Sequence, residues 1–404
     1  MGLALSRQRG VANAIPGGVF LPKQWASNYT SPVPPANVRT TASLAEPLQQ
    51  VERTLVRWRG RKWIYFGGCE YHRLASDPRI GEAMETGLKR YGLNVAASRA
   101  TTGNHVLYGE LESALARFFA APSAVLLPTG YLTNLAVADA LADEVDLVLL
   151  DDRAHASLAD AALRFACPVR RFPSRDVSAA ARLLRLRPRP ARPILLTDGM
   201  FSHDGGVAPL RAYLRALPAR GRLLVDDAHG AGVLGRRGRG TLEHERVGRS
   251  RVIQTVTLSK AFGVHGGAVL ASRSLTSRLL ARSALFTGGT PLPLPLAAAA
   301  LASVRRLQSD SSLLERLAAN TRRVKETLRA RGWPSLFTPG PIVSFVPANP
   351  REATRVKRRL LAAGIFPPHI RYGNGPAHGH FRFAISSAHT SEQLDRLVAA
   401  LAGL

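Results

Sequence analysis

Two cysteines, Cys69 and Cys167, are all the thiols in this chain, and they stand too far apart for a C-x-x-C pair. That scarcity argues against a disulfide framework and a thiolate zinc site, and points to a reducing cytoplasm. No metal site is expected. Long apolar runs are missing too: each candidate is broken by Arg, Asp or Pro before the roughly 18 residues a membrane helix needs, so no membrane association is expected. The N-terminus has no charged start followed by an apolar core, so no secretory signal is expected. "MGLALS", with Gly2 and Ser6, fits a myristoylation pattern, and "NYT" at Asn28 a glycosylation acceptor; patterns this short arise by chance. Aromatic residues are only 6% of the chain, and acidic residues number 28 against 55 basic ones, a net charge of +27. Such a charge suits phosphates, but the arginines are spread throughout and no basic motif is interleaved with aromatics. Nucleic-acid binding is therefore not the expected function, whereas an anionic substrate or carrier protein fits the charge.

Lysine is the scarcest basic residue, six among the 55: Lys23, Lys62, Lys89, Lys260, Lys325 and Lys357. Where only charge is wanted, this protein uses arginine. Lys260 stands in "TVTLSKAFGVHGGAVL", at the end of an apolar run and before a glycine-rich turn. An amine loses its proton when desolvated and can attack a carbonyl, which a guanidinium cannot do.

At 404 residues the chain exceeds one compact core. Residues 1 to about 50 are rich in Gly, Pro, Ser and Thr and read as an irregular arm, drawn here to residue 60. Beyond it, continuous apolar runs at 123–128, 145–152, 193–199, 222–230 and 252–260 alternate with helical patterns such as "HASLADAALRFA" and "VSAAARLLRL". Runs of this kind are strands buried on both faces, and their alternation with helices predicts a mostly parallel α/β sheet. Asp151, Asp198, Asp226, His229 and Lys260 fall at the carboxyl ends of these strands, the edge where open α/β sheets bind ligands. After Pro291 the texture changes to a long helix, the runs "PIVSFV" and "RFAISSAH", and a last helix with Thr390 and Gln393 as its capping box. The expected division is an arm (1–60), a large domain (61–290) and a smaller C-terminal α+β domain (291–404).

"LVDDAHGAGVLGRRGRG", followed by "TLSKAFG", resembles the α-oxoamine synthase family of fold-type I pyridoxal 5'-phosphate (PLP) transferases. The resemblance continues in order through "LLPTGYLTNLAV", "DDRAHASLADAA", "TDGMFSHDGGVAPL" and "RFAISSAHT", covering about residues 60–404. It implies that Lys260 forms the Schiff base with PLP and then moves the substrate α-proton. By the same resemblance Asp226 pairs with the pyridine nitrogen, His229 and Ser202 approach the phenolic oxygen, and His155 stacks on the ring. Gly130, Tyr131 and Thr257 are the expected phosphate donors, with Thr287 in "FTGGTP" reaching the site of a partner subunit. Arg382 is the expected grip on a substrate carboxylate, a planar fork suited to an amino acid. His389 is assigned a structural role. A homodimer with shared active sites is implied.

Departures from the family pattern gather on the substrate side. Cys69 in "GGCEYHRL" stands where the family has Asn, and "AASRATTGNH" (96–105) replaces a glycine-rich stretch. His203 and His265 stand where Met and a small residue are usual. Cys69 is read as a packing residue. The implied reaction condenses a small amino acid with an acyl thioester, carried by CoA or an acyl carrier protein, and releases CO2 and an α-amino ketone. The alternative is a PLP-dependent aminotransferase or C–C lyase.

Overall fold

The computed structural model describes residues 45–186, 192–333, 337–371 and 375–402. Residues 1–44, with most of the expected arm and both N-terminal patterns, lie outside the described residues. The described residues from Glu46 onward form one unit. Among the described residues no helix is long and apolar enough to cross a membrane.

Three strands come first: β1 (Gln49–Glu52), β2 (Leu55–Trp58) and β3 (Arg61–Ile64), an antiparallel meander. Two of them fall before residue 60, within the span expected to be an arm. The central sheet holds β4 (Ser123–Leu127), β5 (Leu147–Asp151), β6 (Val169–Phe172), β7 (Pro193–Asp198), β8 (Arg222–Asp226), β9 (Val252–Thr257) and β10 (Gly267–Ala271). Its order is β4-β10-β9-β8-β7-β5-β6. The contacts among β9, β8, β7, β5 and β6 are parallel, and β10 runs antiparallel between β4 and β9. All five expected strands are present. β6 and β10 were not expected, because two arginines interrupt "VRRF" and "GAVLA" is short and built of small residues.

Burial on both faces explains the continuous apolar strands. In β8, Leu224 joins Val148, Leu150, Leu196 and Ile253 in one core, while Leu223 and Val225 join Leu149, Leu195 and Val252 in the other. The helices Leu294–Ser309 and Ser312–Ala330 lead out of the large domain. The smaller domain has β11 (Ile342–Phe345), β12 (His369–Ile370) and β13 (His380–Ala384) in the order β11-β13-β12, with the helix Ser391–Leu401 opened by the Thr390–Gln393 capping box. The meander docks here: Ile64 N–H donates to Gly364 O at 2.9 Å, and Ile64 and Phe66 share a core with Val343, Phe383 and Leu397.

Beside the site, a wholly buried carboxylate pins the turn after β8. Asp227 accepts from Thr241 N (2.8 Å), Thr241 Oγ1 (2.6 Å) and Gln254 Nε2 (2.6 Å). Burial pushes its carboxyl up to about 7, against ~3.9 in an unfolded chain. Between those two values the folded protein holds a proton that the unfolded chain has released, so stability declines as pH rises through the window and levels off above it. The stability advantage of wild type over Asp227→Asn should shrink across the same window. Urea midpoints measured at several pH values check this, and a pH-independent difference would contradict it.

Candidate active site

The site lies where the carboxyl ends of β4, β5, β7, β8 and β9 meet the amino end of β10. Close backbone approach builds its floor. Gly130 opens the helix Gly130–Leu141, whose cap Thr129 accepts from Leu132 N. A Cβ on Gly130 would stand 2.7 Å from Thr257 Cβ, and one on Gly267 would stand 2.7 Å from Gly130 N. Glycine at both positions lets the helix start settle on the strand ends, bringing its first amides beside the Thr257 hydroxyl. Free amides at a helix start are donors of the kind a phosphate takes. Thr257 Oγ1 itself donates to Gly266 O at 3.2 Å and accepts from Ser259 N at 3.2 Å.

Two acids face each other above this floor, since Asp198 and Asp226 are register partners on β7 and β8. Burial and the neighbouring Asp226 hold the Asp198 carboxyl well above the usual carboxylate range. Asp198 Oδ1 accepts from His155 N at 3.0 Å. Among the described residues Asp226 takes hydrogen bonds from neutral donors: Asn134 Nδ2 at 2.7 Å, Ala228 N at 3.1 Å and Ser157 Oγ at 3.4 Å. A buried carboxylate served by neutral donors suits a cationic partner, and a protonated pyridine nitrogen is one. His155 caps the helix Ala156–Ala162, with Nδ1 tied to Ser157 Oγ at 2.8 Å, and its residue is exposed. An exposed ring held in place beside buried acids is what stacking on a planar ligand needs. These residues fit PLP.

Lys260 closes the set. Its residue is only half-buried, but desolvation of the amine pulls it below the ordinary lysine value. Cys69, Asp226 and Asp198 oppose that pull, and Arg382 adds to it. Lys260 Nζ lies 2.8 Å from His229 Nε2, and the Tyr71 hydroxyl lies 2.8 Å from His229 Nδ1. Burial first, then Lys260, holds His229 well below its usual value, so the imidazole is neutral. From the smaller domain, Arg382 on β13 donates to Ser202 O at 3.4 Å and to Cys69 Sγ at 3.3 Å.

Thr287 sits apart from this constellation, whereas Tyr131 belongs to it through its backbone, in the first turn of the helix Gly130–Leu141. Tyr131 hydrogen-bonds Asp160 and meets the His155 ring edge-on, with 6.0 Å between centroids. Thr287 hydrogen-bonds Ser283 and Ser98. His389 bonds Ser386 and Tyr65 O and stacks on Phe66.

Tyr71, Asn134 and Ser157 were not expected in the site. Asn134 follows Gly130 by one helical turn, a spacing that placed both on one face. Tyr71 lies in the segment where Cys69 departs from the family pattern. Cys69 packs against the core, but its sulfur also accepts from Arg382, so packing alone does not describe it.

Known proteins match this chain in family and in fold. Residues 61–401 match the family model described as aminotransferase class I and II. The 8-amino-7-oxononanoate synthase of Methylococcus capsulatus is 37% identical over 350 residues, 85% of this chain and 89% of that protein. A lysine-to-alanine variant of a serine palmitoyltransferase from S. paucimobilis, solved with a bound PLP–myriocin aldimine, has a TM-score of 0.82 at 25% identity, over 88% of this chain and 90% of that one. The 8-amino-7-oxononanoate synthase from Francisella tularensis has a TM-score of 0.71 at 26% identity, over 84% and 97%.

Gly130→Ala is expected to drive the helix start off Thr257 and lower PLP affinity by about ten-fold or more, the scale of overpacking. Titration of the apoprotein with PLP, followed by visible absorbance, measures this, with thermal unfolding as the control for the fold.

Proposed function

The chain belongs to the aminotransferase class I and II family, on its α-oxoamine synthase branch, and from that premise we propose its substrates and the roles of its residues. It is a PLP-dependent acyltransferase that condenses an amino acid with an acyl thioester, releasing CO2, the carrier thiol and an α-amino ketone. The amino acid we propose is alanine, and the acyl group a seven-carbon chain ending in a carboxylate. Those two pieces, less CO2, make up the 8-amino-7-oxononanoate in the name of the M. capsulatus relative.

The observation that carries the reading is the Lys260 amine placed 2.8 Å from His229, with desolvation pulling it below the ordinary lysine value and Arg382 adding to that pull. PLP, when bound, supplies an electron sink beside the substrate amine. Asp226 holds the proton on the ring nitrogen, and His155 covers the ring face. Ser202, Thr257 and the amides of Gly130 and Tyr131 complete the cradle. Arg382 receives the substrate carboxylate in a forked, charge-assisted contact. Lys260 takes the α-proton as a neutral amine and returns it after CO2 has left, with His229 bonded to its nitrogen. Thr287, bonded away from the rest of the set, we assign to the site of a second copy in a homodimer. We also propose the boundaries 61–290 and 291–404 for the large and small domains.

Product analysis with alanine and the seven-carbon thioester, as CoA and as carrier-protein derivatives, tests the assignment. Formation of 8-amino-7-oxononanoate and CO2 supports it. Conversion of the cofactor to its amine form without thioester would favour the aminotransferase alternative. Arg382→Lys should raise the alanine KM by ten-fold or more, about 1.5–3 kcal/mol for a charged hydrogen bond, with a smaller effect on the KM of the thioester. With a net charge of +27, the rate with either anionic carrier should fall as salt is added.

A further inference from the structure

The seven-carbon acyl chain ends in a carboxylate, and no residue assigned above receives it. Arg382 takes the carboxylate of the amino acid, and Lys260 acts as a neutral amine. A carboxylate drawn out of water needs a charged or well-bonded partner, so the acyl donor calls for a further cation. Arg153 and His203 lie beside the site without an assigned role.

Both are tied to the site through their neighbours. His203 follows Ser202, whose carbonyl accepts from Arg382 Nη1 at 3.4 Å. Arg153 stands two residues before His155, in the loop between β5 and the helix Ala156–Ala162. Arg153 Nη1 lies 2.9 Å from His203 Nε2. A guanidinium can only donate, so Nε2 accepts and the imidazole is neutral. Burial, which holds His203 down to about 4, acts in the same direction. Two guanidiniums therefore end on the stretch Ser202–His203, Arg382 on its backbone and Arg153 on its side chain. That puts Arg153 on the side of the site where Arg382 grips the substrate.

The nearby acids leave Arg153 available. Asp204 stands 3.5 Å from His203 Nε2, but it is taken up by Arg175 Nη2 at 2.9 Å and Gly206 N at 2.7 Å. Asp152 accepts from Ser174 N, and Asp151 from the amides of Arg153 and Arg175. Among the described residues the Arg153 guanidinium makes no hydrogen bond or ion pair beyond the one to His203. Arg153 is exposed and His203 half-buried, so the remaining N–H donors stand at an open rim. His203 also stands where the family pattern has Met, whose thioether is a weak acceptor. An arginine here has a hold that the family pattern does not supply.

We propose that Arg153, held by His203, is a specificity-determining residue that receives the carboxylate at the far end of the acyl donor. The proposal rests on the substrates proposed above. It makes the two carboxylates of the reaction the charges of two separate guanidiniums, one for each substrate.

The test compares two thioesters on the same carrier, with alanine and the PLP-loaded full-length enzyme. One carries the seven-carbon chain ending in a carboxylate, the other a heptanoyl chain ending in a methyl group. Wild type should favour the first by about ten-fold or more in kcat/KM, the worth of a charged hydrogen bond. In Arg153→Gln that preference should fall to near parity. Arg153→Lys, which keeps the charge without the fork, should retain part of it. A change that merely disturbs the fold would slow both donors together, so the ratio reads the contact itself. His203→Met provides a second variant: it releases the arginine and should also lower the preference. A wild type without preference, or variants Arg153→Gln and His203→Met that keep it in full, overturns this proposal and leaves the substrate assignment standing. Absence of 8-amino-7-oxononanoate from alanine and the first donor overturns the assignment, and this proposal with it.

Discussion

The cost of taking one amine out of water governs this structure. Lys260 is a base only as a neutral amine, and burial moves it in that direction, below the ordinary lysine value. The surroundings are balanced rather than merely apolar. Cys69, Asp198 and Asp226 favour the charged form, while desolvation and Arg382 oppose it. A direct ion pair would have cancelled the effect of burial. The amine instead meets a neutral imidazole at 2.8 Å, and the acids act from further away.

The fold reaches that balance by bringing five strand ends to one edge and closing the floor with two glycines. Helix dipoles and free amides are useful only where the backbone can come close. At Gly130 and Gly267 a single methyl group would hold it off. The turn after β8 must keep Asp226 and His229 in register with Lys260, and the buried Asp227 network holds it against Thr241 and Gln254. The smaller domain supplies Arg382 on β13, while residues 67–74 supply Cys69 and Tyr71. A site shared in this way responds to any shift between the meander, the smaller domain and the central sheet.

Lys260, Asp226, His229 and His155 stand in the motifs that carry the resemblance to the family, whereas Cys69 stands outside its pattern. The cofactor is the same molecule across the family, so its partners are constrained by chemistry. Residues 67–74 reach the site through Cys69 and Tyr71, whereas Ser98 in the segment 96–105 hydrogen-bonds Thr287, apart from it. Cys69 illustrates how such a change is tolerated: a thiol still accepts a hydrogen bond from Arg382, so an arginine at that position keeps a partner.

Much of this was legible in the chain. Continuous apolar runs marked five strands of the seven-stranded sheet because burial on both faces leaves no polar position to break them. Lys260, Asp226, His229 and His155 were legible as candidates because each ends a strand, follows one in a turn or caps a helix within a short, ordered motif. β6 and β10 were not, since a strand carrying two arginines or built of small residues has no apolar signal of its own. Tyr71 and Asn134 were hidden for another reason: their importance lies in contacts with residues far away in sequence, Tyr71 with His229 and Asn134 with Asp226. The sequence by itself determined the fold class, the lysine and the acids, because periodicity and residue chemistry are local properties. Tertiary structure alone decided which neutral groups surround them and at what distance. Desolvation and hydrogen-bond direction depend on neighbours in space, and spacing along the chain does not record them.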